Sequence, residues 1–164
     1  MKLIPLTQGK FTKVSERDYK FLAQFKWRAH KDNRSQRWYA ARTVRYPTGT
    51  RVLLMHRVIL QANTWMQVDH KDRNGLNNSR SNLRACTRSQ NQGNRGIDLS
   101  KKTSKYKGVC FCRRSGKWKA DIANRYLGRF ATEKEAALRY DEEAKKLYGV
   151  FANLNFKVTK IRQV

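Results

Sequence analysis

The chain has 164 residues, enough for one ordinary domain or two small ones, each burying only a modest core. Its 37 Lys and Arg against 12 Asp and Glu leave a formal net charge of +25, far beyond what solubility requires, so a polyanion is the expected partner. No apolar run approaches the roughly 20 residues that span a bilayer and no stretch has the form of a signal peptide, so the chain reads as cytoplasmic, with no membrane partner.

Residues 1 to about 60 read as a small mixed module. Ser15-Glu16-Arg17-Asp18 has the form of a helix-opening cap, and Tyr19, Leu22 and Phe25 follow at helical spacing. Residues 38–44 and 51–55 are β-prone runs joined by Tyr46-Pro47-Thr48-Gly49, a hairpin turn. The module is expected to pack against the next segment of the chain rather than do chemistry.

Gln67-Val68-Asp69-His70 reads as a short strand, residues 71–81 as a loop rich in Asn and Gly, and residues 83–86 as a second strand. Thr87-Arg88-Ser89-Gln90 is a capping box, so a helix starts with Asn91 in its first turns, near the strand end that bears Asp69. Residues 93–104 lack apolar periodicity and read as a basic linker, charged enough to follow a nucleic-acid backbone.

From Tyr106 the pattern changes to three strands, 106–112, 117–123 and 126–130, with turns at Ser115-Gly116 and Asn124-Arg125. A helix follows, opened by the Thr132-Glu133-Lys134-Glu135 capping box and closed by Gly149, with Ala136, Ala137, Tyr140, Ala144 and Leu147 forming a narrow apolar stripe. Residues 95–130 carry eleven Lys and Arg against Asp98 and Asp121, whereas residues 131–148 carry four against five acids. The sheet is the cationic side, and a three-stranded sheet with one face on a helix has the other face free for a DNA groove. Cys86, Cys110 and Cys112 are an odd count without a second Cys/His pair, so neither a disulfide framework nor a zinc site is expected.

Phosphodiester hydrolysis needs a base for water, neutralisation of the phosphate and a stabilised leaving oxygen. His70 suits the first task, since an unperturbed imidazole is mostly neutral at pH 7. The Asp69 carboxylate and the Asn91 amide carbonyl are hard oxygen ligands that suit Mg²⁺ or Mn²⁺. Taken singly, each has a structural reading: an Asp-His pair as a strand-end ion pair, a lone Asn as local capping.

The run from Met55-His56-Arg57 through Val68-Asp69-His70-Lys71-Asp72-Arg73-Asn74-Gly75-Leu76-Asn77-Asn78 to Ser81-Asn82-Leu83-Arg84 and Asn91 resembles the HNH endonucleases with a ββα-metal site, the phage-type homing enzymes above all. The resemblance implies that His70 is the general base, that Asp69 and Asn91 bind the metal, and that Asn82 fixes the loop and the histidine. The final position is Asn rather than the His of the family name, a variation found in the homing group. His56 is open between phosphate contact and packing, and Asp72 reads as a turn residue; both stand outside the catalytic set.

Residues 105–156 resemble the plant ethylene-response-factor (apetala-type) DNA-binding domain in Tyr106-Lys107-Gly108-Val109, Gly116-Lys117-Trp118, Ala120-Asp121-Ile122, Leu127-Gly128-Arg129-Phe130, Tyr140-Asp141 and Ala152-Asn153-Leu154-Asn155-Phe156. This implies that the sheet reads a major groove. Lys107, Arg113, Arg114, Lys117, Lys119 and Arg125 are the candidate DNA contacts, while Trp118, Phe130 and Tyr140 belong to the core. Cys110 and Cys112 stand where arginines commonly contact bases in that family, which lowers or redirects the sequence preference.

The expectation is an α+β protein: an HNH endonuclease domain over 1–92 with its N-terminal β-rich support, a basic linker over 93–104, an apetala-type domain over 105–156 and a basic tail over 157–164. The expected activity is metal-dependent cleavage of double-stranded DNA, of homing type, in a bacterial or phage-infected cell, with the oligomeric state open. The rivals are a non-catalytic DNA-binding regulator with a remnant nuclease motif and a basic RNA-binding protein, the latter disfavoured for lack of an aromatic RNA-reading strand motif.

Overall fold

The computed structural model describes residues 1–33, 35–97 and 103–156, and the fold is α+β. The chain forms two compact units, Met1–Asn91 and Gln92–Val164. The residues read as a basic tail, 157–164, and residues 98–102 of the expected linker lie outside the described residues.

The first unit opens with the hairpin β1 (Lys2–Pro5) and β2 (Phe11–Val14), whose alternating burial turns Ile4, Thr12 and Val14 inward. Helix α1 (Glu16–Leu22) follows, with Ser15 at its N-cap. The antiparallel sheet β3 (Arg28–Lys31), β4 (Trp38–Tyr46) and β5 (Gly49–Leu54) comes next, then the short helix α2 (Met55–Ile59). The expected hairpin and its turn are present; strands β1, β2 and β3 carry no strong periodic signal and were not foreseen.

The motif region is β6 (Gln67–His70), β7 (Asn77–Asn78), β8 (Leu83–Cys86) and α3 (Arg88–Gly93). Strands β6 and β8 pair antiparallel, with Asp69 opposite Arg84 and His70 opposite Leu83. The capping box forms: the Gln90 amide donates to Thr87 Oγ1 and the Thr87 amide to Gln90 Oε1. The stretch expected to be only a loop contains β7, which pairs in parallel with β2, Lys13 opposite Asn77 and Val14 opposite Asn78. One core holds the unit together: Ile4, Val14, Leu22, Trp27, Met55, Ile59, Val68 and Leu83. Full burial of each such aliphatic side chain contributes about 1.5–3 kcal/mol.

The second unit has the antiparallel sheet β9 (Val109–Cys112), β10 (Lys117–Ile122) and β11 (Arg125–Phe130) with β10 central. Ala123 and Asn124, both at positive φ, make the β10–β11 turn. Helix α4 (Glu133–Tyr148) carries the full Thr132/Glu135 capping box and Gly149 as its C-cap. Ala136 and Ala137 pack on Val109 and Ala120, and Tyr140, Ala144 and Tyr148 pack on Ile122. Alanines on the helix let it sit close to the sheet, and Trp118 and Phe130 close the edge of that core. The Asp141 carboxylate accepts from the amides of Asn155 and Phe156, both at 2.8 Å, which folds the end of the domain back on α4.

Candidate functional site

Asp69 and His70 end strand β6 and are both buried, 5% and 6% exposed. Strand alternation sends their side chains off opposite sides of β6, but at the strand's end the two stay close enough for the Asp69 charge to act on the His70 ring. On the first face the Asp69 carboxylate lies in the fork of Arg84, with Oδ2 2.7 Å from both Nε and Nη2. Gln67 shares that face, and its Oε1 accepts from Asn91 Nδ2 at 2.7 Å. Asn91 is thereby held against the strand that bears Asp69, with its amide nitrogen anchored and its oxygen at the other end of the group.

A carboxylate and an amide oxygen fit a hard divalent ion and not zinc, and Arg84 shares the carboxylate with whatever binds there. Among the described residues no three His, Cys, Asp or Glu side chains form a ready metal cage. An Asp/Asn pair would leave most of an octahedral shell to water and phosphate.

On the second face His70 Nε2 is 3.1 Å from Asn78 Oδ1. The ring also meets His56 edge-on, with centroids 5.0 Å apart, and Tyr39 at 6.0 Å. Burial lowers the His70 pKa below its ordinary value; the hydrogen bond with Asn78 and the charges of Asp72 and Asp69 oppose that shift, and Arg37 adds to it. His70 is therefore neutral at pH 7 and able to accept a proton. His56, on α2, is 6% exposed, its Nδ1 is buried without a hydrogen-bond partner among the described residues, and burial followed by the charges of His70 and Arg57 lowers its pKa to about 3. Its place beside His70 could not be read from sequence, because the two are brought together by packing rather than by spacing.

Asn82 ties the loop to its own base. Its Nδ2 donates to Asp72 Oδ1 (2.9 Å) and to the Asn77 carbonyl (2.8 Å), and its Oδ1 accepts from the Asp72 amide (3.1 Å). Its carbonyl accepts from the amide of Lys71, the residue after His70. Asp72 also accepts from the Asn74 amide and from Asn77 Nδ2. Burial pushes the Asp72 carboxyl up, but these bonds and the nearby His70 outweigh it and hold it below its usual range.

The loop is latched outward as well. Arg80 grips the Asp18 carboxylate with Nε and Nη2 at 2.9–3.0 Å, and the Arg80 amide donates to Ser15 Oγ. Gly75 admits no side chain, since a Cβ there would stand 2.4 Å from the Trp38 carbonyl and 2.6 Å from the Tyr39 ring.

In the second unit the sheet face away from α4 carries Cys110, Cys112, Lys117, Lys119, Asp121, Tyr126 and Arg129, as the cross-strand register dictates. Of the expected DNA contacts, Arg113 and Arg114 lie exposed in the β9–β10 turn, and Lys117 and Arg125 are exposed at strand starts. Lys119 is half-buried and paired with Asp121 at 2.9 Å. Lys107 is different: its ammonium donates to the Gly93 carbonyl at 2.6 Å and its backbone is bracketed by the Asn155 side chain. Arg129, exposed and opposite Lys119, was not among the sequence candidates; the register is what reveals it.

Residues 54–92 match the HNH endonuclease family. The chain is also similar to the AP2-like ethylene-responsive transcription factor TOE2 of Arabidopsis thaliana, 43% identical over 61 residues, which is 35% of this chain and 13% of that protein. It is 40% identical over 62 residues to the APETALA2-like protein 2 of Oryza sativa subsp. indica, covering 35% of this chain and 14% of that protein. The match to the dehydration-responsive element-binding protein 2D of Arabidopsis thaliana is 52% over 56 residues, 30% of this chain and 27% of that protein. The chain thus spans between about an eighth and a quarter of these curated relatives. No solved structure matches it. Among the described residues no helix is long and apolar enough to cross a membrane. The chain carries a segment similar to HNH nucleases and a stretch similar to plant DNA-binding factors.

Proposed function

We propose that the protein is a metal-dependent DNA endonuclease of homing type, acting on double-stranded DNA in the cytoplasm of a bacterial or phage-infected cell. The observation that carries this reading is the buried His70 beside Asp69, at the end of a strand against which Asn91 is held. The HNH match over residues 54–92 supports it, as does the net charge of +25.

In this reading His70 takes the proton from the attacking water, a contribution worth roughly 10²–10⁴-fold. Asp69 and Asn91 would hold a Mg²⁺ or Mn²⁺ ion, which supplies charge neutralisation at the phosphate and at the departing 3′ oxygen. Asn82, through Asp72 and Lys71, keeps the end of β6 in place. The open face of the second unit binds duplex DNA through Lys117, Lys119, Arg129 and the flanking Arg113, Arg114 and Arg125. The homing role rests on the resemblance of residues 55–91 to that group, and a gene inside or beside a self-splicing intron would support it.

The alternative, a DNA-binding regulator with a remnant nuclease motif, draws on the Asp69–Arg84 ion pair, which occupies the carboxylate that a metal needs. Incubation with supercoiled plasmid and Mg²⁺ separates the two. Nicked or linear product from the parent, and a roughly 10²–10⁴-fold lower rate for His70→Ala and Asp69→Ala, is the expected result. Intact plasmid across metals and host-genome DNA, with binding retained, would favour the regulator.

A further inference from the structure

We propose that Thr12 and Asn78 are positioning residues for His70: a buried chain of hydrogen bonds starting on strand β2 fixes which ring nitrogen carries the proton. The catalytic consequence rests on the nuclease reading above; the hydrogen-bond chain itself does not.

The direction of the chain is set by what each group can do. The Thr12 hydroxyl donates to the Leu76 carbonyl at 2.8 Å, with the Met55 sulfur at 4.0 Å as its other acceptor, and neither of these can donate back. Thr12 Oγ1 must then accept from its other neighbour, Asn78 Nδ2, also at 2.8 Å. The same Nδ2 faces the Gly75 carbonyl at 3.5 Å. With its nitrogen so engaged, Asn78 presents Oδ1 to His70 Nε2 at 3.1 Å, and an amide oxygen only accepts. Nε2 therefore carries the hydrogen, and Nδ1 of the neutral ring is the basic nitrogen.

Flipping the Asn78 amide would turn Oδ1 toward the Gly75 carbonyl, which only accepts, and would draw the Thr12 hydrogen off the Leu76 carbonyl, in a place where Thr12 and Asn78 are both 0% exposed. The backbone holds the chain in register: β7 pairs with β2, and the Lys13 amide donates to the Leu76 carbonyl at 2.9 Å. His56 and Tyr39 pack on the His70 ring and hold its plane. The N-terminal hairpin thus contributes a polar group to the base, 58 residues away in sequence.

The direct test reads the ring nitrogens of His70 by ¹⁵N NMR in the metal-free full-length protein, without DNA, at a pH where the three histidines are neutral. His30→Gln and His56→Gln assign the signals. The parent should show the Nε2–H form alone. Thr12→Val, which keeps the shape but removes the hydroxyl, should admit the Nδ1–H form, and Thr12→Ser should restore the parent pattern. In cleavage assays Thr12→Val should lower kcat roughly 10–100-fold with KM little changed, and Thr12→Ser should recover most of it.

A parent spectrum showing Nδ1–H overturns the proposal whether or not the protein cuts DNA, and it does so even if Thr12→Val fails to fold. So does a folded Thr12→Val that keeps the Nε2–H form alone, or a Thr12→Ser as impaired as Thr12→Val. An Nε2–H parent with the expected variant shifts but no cleavage supports the relay and removes only the nuclease reading.

Discussion

The motif loop of the first unit and the second unit are held by opposite means. The motif loop of the first unit, residues 71–82, is organised by polar groups: Asn82 on Asp72, Asn78 on Thr12, Arg80 on Asp18. The second unit is organised by close apolar contact between an alanine-lined helix and a short sheet, with the buried Asp141 carboxylate holding the amides of Asn155 and Phe156. A polar network fixes side chains in one arrangement because each donor has a defined acceptor, which is what a reacting centre needs. An apolar seam fixes the backbone and leaves the outer face of the sheet open to a groove.

One glycine in each unit breaks the two arrangements separately, with the largest effects expected. Gly108 lies at φ +74°, and a Cβ there would stand 2.0 Å from the Tyr140 ring and 2.6 Å from the Asp121 carbonyl. Gly108→Ala should cost about 3 kcal/mol or more, combining backbone strain with overpacking, and unfold the second unit first. Hydrogen exchange should show protection lost in residues 109–148 while residues 1–91 keep theirs. Gly75→Ala should cost about 2–3 kcal/mol by pushing the loop off Trp38 and Tyr39 and, under the proposed function, abolish cleavage while DNA binding by the second unit persists. Equal loss of protection in both units from either variant would show that they fold as one.

How legible each region was in the sequence follows the same division. Strands β6 and β8, helix α3 and, in the second unit, β10, β11 and α4 could be placed because caps, turns and periodicity are local signals: Thr87 with Gln90, Thr132 with Glu135, the alanine stripe of α4; the strand read as 106–112 begins only at Val109, and Leu147 of the expected stripe is exposed. Asp69, His70, Asn82 and Asn91 were legible as a motif. Their supports were not, because Thr12 lies 66 residues before Asn78 and Asp18 62 before Arg80, and no window joins such partners. Strand β7 has two residues, too few for any alternation. Lys107 looked like one more surface cation, and only the fold reveals that its ammonium closes on a backbone carbonyl.

Smaller effects test the polar side of the comparison. Arg80→Met leaves the Asp18 carboxylate, 11% exposed, without its guanidinium partner and should destabilise the first unit by about 1–3 kcal/mol, measured by urea unfolding. Acid should act on the same unit. His56 stays neutral in the fold down to pH about 3, whereas the unfolded chain binds its proton near 6.5. Its contribution is complete above pH 6.5 and is lost as pH falls toward 3, because protonation then favours the unfolded state. Asp72, held below its ordinary value, adds a loss at the acid end. The first unit should therefore melt at lower temperature between pH 6.5 and 3, and His56→Phe should flatten that decline; an unchanged slope would mean that other groups carry it.

The smallest expected effect distinguishes the cations of the second unit from one another. Arg129 is exposed on the open face, so on duplex DNA its removal in Arg129→Gln should lower the slope of log affinity against log salt by about 0.9, the share of one neutralised phosphate. Lys119→Gln should change the slope less, because the ammonium it removes is already paired with Asp121. Lys107→Gln should leave the slope unchanged and lower stability instead, since that ammonium serves the Gly93 carbonyl. The order Arg129, Lys119, Lys107 differs from what charge alone predicts, under which the three are equal. Equal slopes would mean that the field of the whole basic chain, rather than the face of this sheet, holds the DNA.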